Sequence, residues 1–150
     1  VVRVRNAAGN QFECKIEPLD SGSTGTQTAR IRYLVVEEGV YTQANAGIKL
    51  EARKFDSTVT DTTNQYVGAI RNYDNAYTVP LVLGQVLSCN QTGFLAFWCS
   101  GEEINSAPTS ASLRVGKHAG NGEVAAPWTE SLGYVVFESS SDLLQKLLEQ

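Results

Sequence analysis

The sequence predicts an all-β protein, an antiparallel β-sandwich or barrel with additions at both ends, and three observations carry that prediction. Short runs of alternating apolar and polar residues recur along the 150-residue chain, divided by clusters of Gly, Asn, Asp and Pro. Before residue 140 no stretch sustains the apolar period of about 3.6 residues that a helix requires. One strand pattern also occurs twice, as Ile31–Glu37 and as Leu132–Glu138. In both copies a Tyr opens a run of apolar, mostly β-branched residues and a Glu closes it. Such side chains fit a pleated, half-buried surface, so both runs read as core strands.

Taken in order, Val1–Arg5 alternates apolar and charged residues, with Val2 and Val4 on one face and Arg3 and Arg5 on the other. Asn6–Asn10 is turn chemistry, and Phe12, Cys14 and Ile16 then alternate with Glu13, Lys15 and Glu17. Two period-2 segments around a Gly/Asn turn predict a hairpin with one wet face. Asp20–Thr28 is a Ser/Thr/Gly loop leading to the first copy of the core strand, and Val40–Thr42 adds a short strand. Ile48–Phe55 alternates as a one-sided strand; Asp56–Gln65 is polar, strand edge or loop; Tyr66–Ile70 is a short apolar strand. After Pro80, Leu81–Leu87 is a nearly continuous apolar run, and Phe94–Cys99 is apolar on both faces, so both should be central. Ala111–Lys117 alternates again, and the loop His118–Trp128 leads to the second core strand. In the tail, Ser141-Asp142 can cap a helix with a stripe at Leu143, Leu144, Leu147 and Leu148. A helix this short is marginal alone, so it docks on the sandwich or a neighbouring chain, or stays frayed.

The repeat sets the domain organisation. Residues 1–40 supply the last three strands of one unit, residues 41–139 a complete six-stranded unit, and residues 140–150 the amphipathic tail. Three strands alone leave a face and edges uncovered, so either the complete unit or another chain must cover them.

Composition narrows the function. Apolar residues at 42% and charged residues at 19% suit a folded core and exclude extended disorder. A net charge of −4 disfavours nucleic acid, whose recognition needs a basic face. No apolar run approaches the ~20 residues of a membrane span, and no signal-peptide pattern opens the chain. The chain has no Met, even at position 1, which suggests a mature or excised fragment. Asn90-Gln91-Thr92 is a glycosylation sequon at an expected turn.

The cysteines are three, an awkward number for a disulfide framework. If Asn90–Gly93 is a hairpin turn, Cys99 lies opposite Gly84, roughly 17 Å along the strand from Cys89 at about 3.3 Å per residue. A disulfide needs Cα atoms within about 7 Å. Cys14, Cys89 and Cys99 are therefore expected as free, small, buried hydrophobes.

Val79–Val86, then Val115–His118, then Glu130–Glu138 resemble, in order and spacing, the H-type lectin-like domains. Tyr33–Thr42 followed by Gly47–Ala52 is similar to the junction between tandem bacterial copies. The resemblance covers most of residues 30–139. It implies a six-stranded antiparallel sandwich, often trimeric, and an extracellular or cell-surface module that binds sugar at subunit edges. His118 stands where the family's sugar-contacting His follows the fifth strand, and Lys117 occupies the position where an aromatic usually precedes it. With Asn121 and Trp128 in the following loop, these four form the candidate sugar-binding set.

Other chemistry is poorly supported by the residues. His118 is the sole histidine, and no G-x-S-x-G motif accompanies it, so no nucleophilic triad is expected. Zinc needs several His or Cys ligands, whereas the cysteines fall on separate expected strands. Asp56, Asp61 and Asp74 lack the order of a calcium loop, and Gly116–Gly122 lacks the spacing of a phosphate loop. No metal or cofactor is expected. Glu37, Glu130 and Glu138 are expected to be solvated or bonded to loop amides. Among the rings that could stack on a sugar, Trp98 reads as core, Tyr73 and Tyr77 sit in a turn, and Trp128 is the exposed candidate. The expected function is a non-catalytic carbohydrate-binding or adhesion module. The alternative is a structural repeat or fibre subunit that self-associates by strand or edge complementation.

Overall fold

A computed structural model describes residues 1–18, 28–62, 65–103, 105–120 and 128–138. The C-terminal helix expected over 140–150, most of the loop expected at 20–28, and Asn121 lie outside the described residues. The chain is all-β. In order it forms β1 (Val2–Ala8), β2 (Gln11–Ile16), β3 (Gly39–Tyr41), the single-turn α1 (Gln43–Ala46), β4 (Leu50–Ser57) and β5 (Thr60–Asp61). Then follow β6 (Ala69–Asn72), β7 (Pro80–Val86), β8 (Leu95–Ser100), β9 (Ser112–Ala119) and β10 (Glu130–Glu138). The helical turn was not foreseen. Thr42 and Asn45 make a reciprocal capping box, and Gly47 ends the turn at φ 69°.

Three sheets result. β1 and β2 are the expected antiparallel hairpin, with Val2 opposite Ile16 and Val4 opposite Cys14. Asn6 takes positive φ where the register slips between Arg5 and Ala8, and Gly9 does so in the turn that follows. One four-stranded sheet runs β3-β4-β10-β7 and is antiparallel throughout. In the other, β9 is the hub: β8 pairs along one edge, antiparallel, while β6 and the two-residue parallel β5 share the other edge.

Buried side chains of these two sheets meet in shared clusters. Leu113 and Val115 of β9 join Tyr134 and Val136 of β10, with Tyr77 between them. Leu95 and Ala119 join Val86 and Leu132 further along. On the opposite face of β10, Phe137 packs with Leu50 and Ala52 beneath Val36, Tyr41 and Ile48. The second copy of the repeated pattern is thus a central strand buried on both faces, as expected of its apolar run.

The first copy differs. Residues 31–37 form no strand, and Tyr33, Leu34 and Val35 are 71%, 53% and 72% exposed. Tyr33 meets the Phe12 ring edge-on, at 5.1 Å between centroids, on the surface, while Tyr134 is core. The two copies therefore do not occupy equivalent surroundings. The N-terminal region holds a two-stranded hairpin where three strands were expected. Intrinsic β-propensity made both runs look like strands, but a strand also needs a ladder partner, and only Leu132–Glu138 has two.

Two further expectations are corrected. Leu81–Leu87 and Phe94–Cys99 are not a hairpin: β7 pairs with β10 and β8 with β9, so residues 87–94 cross between sheets. The crossing is organised by Glu130, which accepts hydrogen bonds from the amides of Asn90 and Gln91. All three cysteines are free, as expected, but the hairpin reasoning for Cys89 and Cys99 does not apply, and Cys14 is exposed rather than buried.

Candidate functional site

Pleat parity divides the candidate residues. Along β9, Leu113, Val115, Lys117 and Ala119 point inward, while Arg114, Gly116 and His118 point outward. Lys117 is consequently fully buried, not at the surface where a sugar would meet it. Its Nζ donates to Thr60 Oγ1 at 2.7 Å and to the Trp128 carbonyl at 3.0 Å. Burial pushes the Lys117 ammonium below its ordinary range, and the nearby Glu130 only partly offsets this. Trp128, 56% exposed, presents its ring to solvent while its backbone is held by Lys117.

His118 lies opposite Asp61 of β5, and its Nδ1 stands 3.2 Å from Asp61 Oδ2. The Asp61 carboxylate is almost wholly buried and also accepts from the amides of Gln65 and Tyr66 at 3.2 Å each. A carboxylate at Nδ1 fixes the imidazole orientation and leaves Nε2 for a ligand. It also holds Tyr66 at the positive φ of 53°, which delivers that ring edge-on to Trp98 at 5.4 Å.

Trp98 was expected in the core and is on the outer face instead. Leu95, Phe97 and Cys99 take the inward positions of β8, so Trp98 faces outward across Gly116. A Cβ on Gly116 or Gly68 would come within 2.5 or 2.8 Å of the indole, which shows how closely it lies on the backbone. Trp98 pairs with Gly116 and Ala96 with His118, so the indole and the imidazole are diagonal neighbours on one surface. The outer face of β8–β9 thus gathers a ring pair, Tyr66 and Trp98, beside an oriented His–Asp pair. In sequence Asp61 reads only as a possible calcium ligand and Tyr66 only as the start of a short strand. The signal available was the parity of Trp98 with Gly116, hidden by an unknown strand pairing.

The remaining candidates are structural. Tyr77 is buried and Tyr73 packs against it at 5.1 Å, so neither forms an exposed platform. Burial drives the Tyr77 hydroxyl up to about 12. Glu138 accepts from the amides of Thr78 and Val79 and pairs with Lys49 at 2.8 Å, as a strand-end acid bonded to loop amides should.

Glu130 is bonded to loop amides too, but it is fully buried and carries a charge partner. Arg3 of the hairpin reaches it at 2.9 Å, with both side chains wholly inaccessible. Arg3 also donates to the carbonyls of Ser88 and Gln91, and Ser88 Oγ bonds to Glu130. Of the two arginines on one side of β1, Arg3 therefore packs inward, because acceptors line its berth, while Arg5 is exposed. Burial would raise Glu130, but Ser88, the Gln91 and Asn90 amides and Arg3 together hold it below the ordinary carboxylate range.

No group of three or more His, Cys, Asp or Glu side chains suited to a metal occurs among the described residues, and no helix among them is long and apolar enough to span a membrane. No protein-family model, curated protein or solved structure matches the chain.

Proposed function

We propose that this chain is a non-catalytic, extracellular or cell-surface module that binds glycan on the outer face of β8–β9, its two four-stranded sheets forming a β-sandwich of the H-type lectin-like kind. The observation that carries the reading is the adjacency of the Tyr66–Trp98 ring pair and the Asp61–His118 pair on one face. Rings offer flat apolar surface to the C–H side of a sugar, and an oriented imidazole supplies a hydrogen bond to a hydroxyl. Of the four residues first selected, His118 belongs to this face and Lys117 supports it from beneath. A glycan array with the folded protein is the test, with His118→Ala and Trp98→Ala as controls. Binding that both variants weaken by about tenfold, the loss of roughly one good hydrogen bond or stacking contact, supports the reading. An array without hits from demonstrably folded protein defeats it.

A second reading is favoured by the exposed run Tyr33-Leu34-Val35. An apolar, strand-prone segment without a ladder partner suits edge complementation with a second copy of the chain in a fibre or surface assembly. Light scattering separates the readings: concentration-dependent association abolished by Val35→Asp supports assembly, and a monodisperse monomer at high concentration rejects it.

A further inference from the structure

A cleft of about 180 Å³ opens on the β4–β6 side, away from His118, lined by Arg53, Lys54, Phe55, Arg71, Asn72, Asp74 and Tyr134. In a chain of net charge −4, two guanidinium groups, those of Arg53 and Arg71, stand here with one carboxylate, that of Asp74. Their commitments differ. Arg53 pairs with Asp74. Arg71 forms no hydrogen bond or ion pair among the described residues, and its Nε is buried without an acceptor. What holds it is the Phe55 ring, 4.1 Å beneath the guanidinium carbon.

A guanidinium stacked on a ring has its flat face covered and its N–H edge directed elsewhere, and that fork matches the two oxygens of a carboxylate. The buried Nε is closed to a ligand, whereas the terminal nitrogens of Arg71 are open and carry no hydrogen bond among the described residues, so an oxyanion meeting them displaces no existing contact. We infer that this cleft binds the carboxylate of an acidic saccharide, with Arg71 as the bidentate anchor and Arg53 as the second cation. A saccharide fits better than an acidic peptide because Asp74 and the Asn72 amide stand beside the cations. Sugar hydroxyls can donate to Asp74, whereas a second peptide carboxylate would be repelled by it. The site is separate from the His118 face and stands without it.

The experiment is titration of the whole chain with D-glucuronate, D-glucose and N-acetylaspartate at low salt, followed by calorimetry and by the arginine Nε–H signals in NMR. Glucuronate is expected to shift the Arg71 and Arg53 signals and to bind about tenfold or more tighter than either comparison ligand. Arg71→Gln should abolish that binding. Arg71→Lys, which keeps the charge and loses the fork, should weaken it about tenfold, and His118→Ala should leave it unchanged. Unaltered melting temperatures establish that the variants are folded. Should Arg71→Gln fail to fold, Arg71→Lys and the wild-type NMR shifts decide. Equal affinity for glucose removes the carboxylate assignment, and equal affinity for N-acetylaspartate removes the saccharide. Glucuronate binding that survives both Arg71 variants, or that is lost in His118→Ala, overturns the site.

Discussion

Arg3 and Glu130 show how one residue pair can decide where a whole segment goes. Both side chains are inaccessible to solvent, 2.9 Å apart, and each has further hydrogen-bond partners. Removing one member of such a pair strands the other charge in the interior, so Arg3→Ala should cost about 3–5 kcal/mol in urea unfolding. The acid side of the stability profile has a defined sign. Glu130 lies below its ordinary value of 4.5, and Glu138 is held at about 2, by Lys49 first and then by the Val79 and Thr78 amides. Groups depressed by folding contribute stability that is complete above the unfolded value and is lost as protons are forced on. Stability should therefore fall from about pH 4.5 downward, and Glu138→Gln should flatten the part of that fall extending towards pH 2, as read by denaturation across pH. None of the Arg3–Glu130 pairing was legible in the sequence. Charge alternation in Val1–Arg5 says only that Arg3 and Val2 face opposite ways. Which face is inward depends on carbonyls of Ser88 and Gln91, far along the chain.

The elements themselves were more readable than their neighbours. Period-2 alternation located β1, β2, β4 and β9, and the dense apolar run located β10, because pleat geometry is local. Pairing is not local. β7 and β8, adjacent in sequence and both apolar, went to different sheets, β7 to β10 and β8 to β9, and local pattern carries no record of that choice. Their facing surfaces still touch: a Cβ on Gly84 would meet the Phe97 ring at 2.2 Å. Gly84→Ala should thus destabilise by about 1–3 kcal/mol through forced displacement of Phe97, measurable by thermal melting. Gly116→Ala should move the indole of Trp98, with a shift in its fluorescence and loss of any glycan binding on that face. The contrast between the two Tyr-to-Glu runs is also testable here. Amide hydrogens of 33–35 should exchange close to the rate of unstructured chain, and those of 132–136 only with global unfolding, a difference that exchange mass spectrometry resolves.

For the molecule as a whole, shared clusters between the two four-stranded sheets make one hydrophobic interior, and Arg3 links the hairpin to it. A single cooperative transition should follow, with far-UV circular dichroism and tryptophan fluorescence giving coincident curves. A separate early transition for the hairpin would contradict that coupling. All-β character and antiparallel pairing could be read from sequence at this scale. The expected tandem arrangement could not be checked by pattern alone, because a strand's membership in a sheet is a property of its partners.

The parallel pair formed by β5 and β9 is only two residues long, yet it lets the chain leave β9's edge and come back to the same edge as β6. Between departure and return, the Asp61 carboxylate gathers the amides of Gln65 and Tyr66. An insertion or deletion in that excursion would shift Tyr66 along its tether without disturbing any long ladder. The ring's position against Trp98 is in that sense set by loop length, so this part of the outer face can be reshaped while the ladders that hold the fold together stay as they are.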